Sequence, residues 1–122
     1  MKCALVSVVD DDESVRESLP DLLRELGFEA RGFASADEFL ASDALGATRC
    51  LILDIAMPGT SGPDLQRELA RRKLKTPIVF ITAQADKSIR STLLAHGAVE
   101  CLFKPFSEED LRSALRAALG TA

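Results

Sequence analysis

Five polar residues stand where apolar runs of this chain stop: Asp10 and Asp11 after residues 4–9, Asp54 after 50–53, Thr82 after 77–81, and Lys104 after 98–103. Brought together, these residue types would do recognisable chemistry. Two carboxylates about 4 Å apart repel by roughly 4 kcal/mol at an effective dielectric near 20. Three clustered acids must therefore protonate in part or recruit cations. Oxygen-only ligands with open positions suit Mg²⁺, which keeps several waters and favours one or two carboxylates plus a phosphate. An ammonium from Lys104 and a hydroxyl from Thr82 would complete a cradle for a phosphoryl group. A carboxylate can also be the nucleophile and form an acyl phosphate. Taken singly, an Asp at a strand end is usually a cap or turn residue, and Asp12 reads as one. The chemistry rests on convergence, so it rests on the fold.

The elements that must position these residues are legible in the apolar pattern. Cys50-Leu51-Ile52-Leu53 is an unbroken apolar run into Asp54, as in a strand buried on both faces. Residues 4–9, 77–81 and 98–103 read as strands of the same kind, and Glu29 to Phe33 as a short, part-polar edge strand. Between them lie helical spacings. Val15, Leu19, Leu22, Leu23 and Leu26 share one face, with Gly27 as the stop and Pro20 expected to bend the helix. Ser35-Ala36-Asp37-Glu38 has the spacing of a capping box and opens a short helix to about Ser42. Pro63 starts a helix to Arg72 that buries Leu65 and Leu69. Lys87 to His96 buries Ile89, Leu93 and Leu94 and stops at Gly97. Ser107 opens a last helix with Leu111, Leu115 and Leu119 inward and acidic residues in its first turn. Strand and helix alternate five times with short connections, which specifies an α/β fold, a doubly wound parallel sheet. A chain of five such units takes the flavodoxin-like (βα)5 arrangement, strand order 2-1-3-4-5. Such sheets bind ligands at the C-terminal ends of their strands, where the order reverses between strands 1 and 3. All five polar residues fall on that edge.

Composition narrows the function classes. The 122 residues suit one domain, 1–122, and 47% hydrophobic with 28% charged is an ordinary globular balance. A net charge of −4 without a dense basic run argues against gripping nucleic acid or an anionic membrane directly. The apolar runs are strand-sized, too short to span a bilayer, and no secretory signal is expected, so the expected location is the cytoplasm. Cys3, Cys50 and Cys101 are odd in number, far apart and without metal-ligand spacing. They read as free thiols in a reducing compartment.

Val9-Asp10-Asp11, Asp54 with Met57-Pro58-Gly59-Thr60-Ser61-Gly62, Thr82-Ala83 and Lys104-Pro105-Phe106 together resemble the receiver domain of two-component response regulators. The resemblance covers nearly the whole chain in order and spacing. Gly97-Ala98 and Lys104-Pro105-Phe106 look closest to FixJ-type transcriptional regulators. The resemblance implies that a sensor histidine kinase phosphorylates Asp54. It implies Mg²⁺ held by the side chains of Asp11 and Asp54 and the backbone carbonyl of Ala56, with Asp10 acting through water. Lys104 would pair with the phosphoryl oxygens, Thr82 would hydrogen-bond to them, and the Lys104-Pro105 peptide is often cis. It further implies a change of conformation or of dimerisation through the face made by the fourth helix, fifth strand and fifth helix. DNA would be reached only through an output domain absent from this chain. Gaining and losing phosphate at Asp54 would be the domain's only chemistry, so it would not be an enzyme in the turnover sense.

The chain departs from the family pattern at Cys101, the switch position three residues before Lys104, where receivers usually carry Tyr, Phe or His. Phe103 shares strand parity with it. Ala56 and Gln84 occupy the two positions that set water access to the phosphate. His96 reads as a surface or helix-capping residue. Two rival functions remain open. A pseudo-receiver would keep the fold and ignore phosphate, although all five site residues are present. A phosphohydrolase of the haloacid-dehalogenase type would place a second Asp two residues after the nucleophile, where Ala56 stands.

Overall fold

The computed structural model describes residues 4–83 and 87–120, so Cys3 and Gln84 lie outside the described residues. In chain order the elements are β1 (Leu5–Val9), α1 (Glu13–Glu25), β2 (Glu29–Phe33), α2 (Ala36–Leu40), β3 (Cys50–Asp54), α3 (Gly62–Arg71), β4 (Ile78–Thr82), α4 (Lys87–Ala95), β5 (Glu100–Phe103) and α5 (Glu108–Leu119). All neighbouring strands pair in parallel, in the order β2-β1-β3-β4-β5. This is the doubly wound arrangement expected from the alternation of patterns.

Period-two alternation along the strands divides the interior into two layers. Leu51, Leu53 and Phe80 face one side, where Phe39 of α2, Leu65 and Leu69 of α3 and Leu93 of α4 cover them. Ile52, Val79 and Ile81 face the other, under Leu19 and Leu23 of α1 and Leu111 and Leu115 of α5. β3 is buried at all five positions, as its unbroken apolar run requires, and β2 at only two, as befits an edge.

Several boundaries differ from the sequence expectation. α3 begins at Gly62 rather than Pro63, because Ser61 is its N-cap and closes a capping box with Asp64. At α2, Ser35 accepts from Glu38 N–H as expected, but the Glu38 carboxylate reaches the N–H of Ala34 at 3.4 Å instead of that of Ser35. α2 stops at Leu40, and Ser42 Oγ turns the chain by donating to Phe39 O at 2.7 Å. Pro77 lies outside β4 for want of an N–H, although its carbonyl accepts from Leu51 N–H at 2.9 Å. β5 begins at Glu100, two residues later than expected.

α1 continues through Pro20, which is buried against the sheet. Proline leaves the Arg16 carbonyl without its helical donor. The β2 backbone comes close at that point: a Cβ on Gly32 would lie 3.2 Å from Arg16 O and 3.7 Å from the Pro20 ring. Gly32 is therefore a close-approach glycine that lets α1 settle on the edge strand.

Candidate functional site

β1 and β3 are neighbours whose connections leave in opposite directions, and the site lies at the crevice this opens at their C-terminal ends. Asp10 follows β1 directly. Its N–H donates to Phe33 O at 3.1 Å, so pairing with the end of β2 fixes its backbone. Its side chain is fully buried, and both carboxylate oxygens are engaged. Oδ1 accepts from Asp12 N–H at 2.9 Å, and Oδ2 accepts from Lys104 Nζ at 3.0 Å. Arg16 donates from Nη1 to the Asp10 carbonyl at 3.1 Å. Asp12 is the N-cap of α1 and accepts from Ser14 N–H at 2.9 Å, as its position suggested.

Asp54 ends β3 and is 7% exposed. The loop from Ile55 to Ser61 leaves from it and returns tightly, with Gly62 N–H donating to Ile55 O at 3.0 Å. A Cβ on Gly62 would stand 2.4 Å from Asp54 O and 3.0 Å from the Phe80 ring, so only glycine permits this return. Ala56 is exposed in the loop, two residues beyond Asp54. Asp10, Asp11 and Asp54 each offer an oxygen within 4.8 Å of the other two. Thr82, buried at the end of β4, and Lys104, just beyond β5, are held together by Lys104 N–H donating to Thr82 O at 2.8 Å. The Lys104-Pro105 peptide is cis.

The electrostatics follow from this crowding. Burial pushes the Asp54 carboxyl up from its ordinary 3.8 to about 6. The charge on Asp10 adds to the rise, Lys104 opposes it, and Asp11 contributes further. Three acids thus face one ammonium that is already committed to Asp10. That donor set fits a hard divalent cation. Its ligand oxygens span up to about 4.2 Å across an Mg²⁺ octahedron, so small side-chain adjustments suffice.

The expected polar residues therefore share one edge of the sheet. Cys101 does not belong to the acid cluster. It is 3% exposed and packs with Phe80 and Leu93 beneath α4. Burial raises its pKa; burial also pushes the Cys50 thiol up, there to about 12, and both thiols are free. His96 is exposed at the end of α4, with Nδ1 2.7 Å from Thr92 O. Arg16 and Gly62 escaped the sequence reading as site residues. The signals were available: an arginine one turn into the helix after the acids, and a glycine closing the loop after Asp54. Among the described residues no helix is long and apolar enough to cross a membrane.

Residues 6–116 match the family model of the response regulator receiver domain. Nodulation protein W of Bradyrhizobium diazoefficiens is 45% identical over 94% of this chain and 51% of its own length. The transcriptional regulatory protein TdiR of Thauera aromatica is 40% identical over 93% of this chain and 50% of its own. The crystal structure of FixJ-N superposes with a TM-score of 0.87 at 33% identity, covering 100% of this chain and 98% of that one. The chain spans about half the length of these curated relatives. Since the match runs from β1 into α5 and takes in every strand end that bears a site residue, this chain belongs to the family of response regulator receiver domains, and it resembles those of FixJ type.

Proposed function

We propose that this domain accepts a phosphoryl group on Asp54 from a sensor histidine kinase in a Mg²⁺-dependent reaction and thereby controls an output function, transcription above all. Receiver domains of response regulators work with histidine kinases and generally bind Mg²⁺ in an acidic pocket. The observation that carries the reading is the gathering of Asp10, Asp11 and Asp54 at the strand-order reversal, with Lys104 held against them. Asp11 and Asp54, the Ala56 carbonyl, and Asp10 through water would hold the cation. When bound, Mg²⁺ supplies positive charge against the phosphoryl oxygens.

The chain's own groups do the rest. An Asp54 oxygen bonds to phosphorus as the phosphorus–nitrogen bond of the donor phosphohistidine breaks, and the leaving imidazole keeps the electron pair and takes a proton from solvent. Lys104 offers its ammonium to the new phosphoryl oxygens, and Thr82 its hydroxyl. Asp54 and Thr82 are buried, so the cluster opens to solvent only on the side of Asp11 and Lys104, and the shelter strengthens both contacts. Beside the site, Val15, Leu19, Leu22 and Phe106 line an apolar groove of about 370 Å³ that Lys104 also borders, which suits docking of the donor's helix next to Asp54. The phosphoryl group would favour one of two arrangements of the domain. The readout would be the α4–β5–α5 face, through a second receiver or an output domain that alone contacts DNA.

Incubation with Mg²⁺ and a small phosphodonor, followed by intact mass spectrometry, tests the reading. One phosphoryl adduct is expected, lost in Asp54→Asn and in EDTA. An unmodified wild-type protein under saturating donor would favour a phosphate-blind interaction module. Sustained turnover of a phosphate ester, abolished in Asp54→Asn, would favour a hydrolase.

A further inference from the structure

Among the described residues no strand lies on the outer side of β5, so N–H groups along it that do not face β4 must find other partners. One such group, Cys101 N–H, donates to Glu100 Oε1 at 2.9 Å. The same oxygen accepts from Arg90 Nη2 at 2.7 Å and from Arg90 Nε at 3.1 Å. A single carboxylate oxygen therefore closes the sheet edge and fastens α4 to β5. Both side chains are partly sheltered, Arg90 at 42% and Glu100 at 32% exposed. The Cys101 side chain points the other way, into the layer under α4.

The location matters because both neighbouring strand ends carry site residues. β4 ends in Thr82 and leads in the chain to α4, while β5 leads directly to Lys104. The Lys104–Thr82 backbone bond joins β4 and β5 at the site, and Arg90–Glu100 joins α4 and β5 further down the edge. A shift of α4 along the sheet must break the Arg90–Glu100 contact or carry β5 with it. The small thiol at 101 offers no comparable lever.

We infer that Glu100, held by Arg90, is the positioning residue that couples α4 to the edge strand, so that a change at Thr82 and Lys104 reaches the outer face through this carboxylate. The inference rests on the phospho-acceptor reading above. It gives Glu100 two separable jobs. As an acceptor it caps the Cys101 N–H, and as an anion it ties down α4.

The test is amide exchange by NMR with and without Mg²⁺ and beryllofluoride, a phosphoryl mimic, with phosphodonor adduct yield followed separately by mass. In the wild type, α4 and β5 amides should respond together. In Glu100→Ala, the Cys101 amide should exchange about tenfold faster for want of its charged acceptor. The β5 response should fall at least about threefold in that variant, while adduct yield and the α4 response stay at wild-type level. The double exchange Arg90→Glu with Glu100→Arg should restore the β5 response through a reversed ion pair. It should leave the Cys101 amide fast, because arginine has no acceptor to offer. A full β5 response in Glu100→Ala overturns the inference alone, as does a reversed pair that restores nothing. A wild type that takes neither phosphate nor beryllofluoride overturns the phospho-acceptor reading, and the coupling with it.

Discussion

Replacing Asp54 by Asn should stabilise the fold, even though it removes the proposed nucleophile. Folding raises the Asp54 carboxyl from 3.8 to about 6, with burial as the largest cause. A group whose folded pKa is raised holds its proton more tightly in the folded state. It therefore favours folding below pH about 4 and loses that contribution as the pH climbs through about 6. Above that value the folded chain carries a charge it disfavours. Complete conversion of the shift would amount to about 3 kcal/mol. The cluster opens to solvent through exposed Asp11 and part-exposed Lys104, so screening reduces this to about 1–2 kcal/mol. For a domain of this length that corresponds to about 3–8 °C in melting temperature. Asn has nearly the same shape and can donate to Asp10 where the carboxylate could only repel it. The assay is urea and thermal denaturation of both proteins in EDTA between pH 4 and 8. Asp54→Asn should be more stable at pH 7.5, and the gap should close towards pH 4. Added Mg²⁺ should stabilise the wild type more than the variant. Equal stability at pH 7.5, or a gap that does not depend on pH, would refute the account of a crowded, under-compensated carboxylate.

Gly62→Ala must push a methyl group against Asp54 O at 2.4 Å, and it should cost at least about 2 kcal/mol in urea denaturation while lowering adduct yield. Lys104→Met strands the buried Asp10 carboxylate, and a loss of about 2 kcal/mol is expected. Adding Asp10→Asn to Lys104→Met should recover most of that loss in a double-mutant cycle; additive losses would mean the ion pair contributes nothing. Cys50, with its thiol pushed up to about 12, should resist iodoacetamide at pH 8 in the native protein and react once urea unfolds it, as peptide mapping would show.

The strands were legible where burial left no choice of residue. The run from Cys50 to Leu53 into Asp54 could only be a strand covered on both faces, and β3 has those bounds. The site was legible for the same reason, because a charge at the end of a buried strand has only the sheet edge to occupy. Boundaries set by capping were harder. Ser61-x-x-Asp64 had the spacing of an N-cap, yet Pro63 dominated the reading of where α3 begins. The contacts of Arg16 and Glu100 were beyond reach for another reason. Arg16 contributes through a bond to a backbone carbonyl, and Glu100 through an oxygen shared by its neighbour's amide and an arginine on α4. Neither contact has a spacing signature, since both depend on how helices sit on the sheet.

The close approach of Gly32 to Arg16 bears on any attempt to graft this acid cluster onto another scaffold. α1 meets the edge strand main chain to main chain, at the carbonyl that Pro20 deprives of its donor. The same Arg16 extends its guanidinium to Asp10. A designer who copied the acids and Lys104 but placed a side chain at 32 would press its Cβ on the Arg16 carbonyl and force the residue whose guanidinium reaches Asp10 to give way. The transplantable unit therefore includes two residues, Pro20 and Gly32, that touch no acid of the cluster and would be missed by choosing residues on distance to the carboxylates alone.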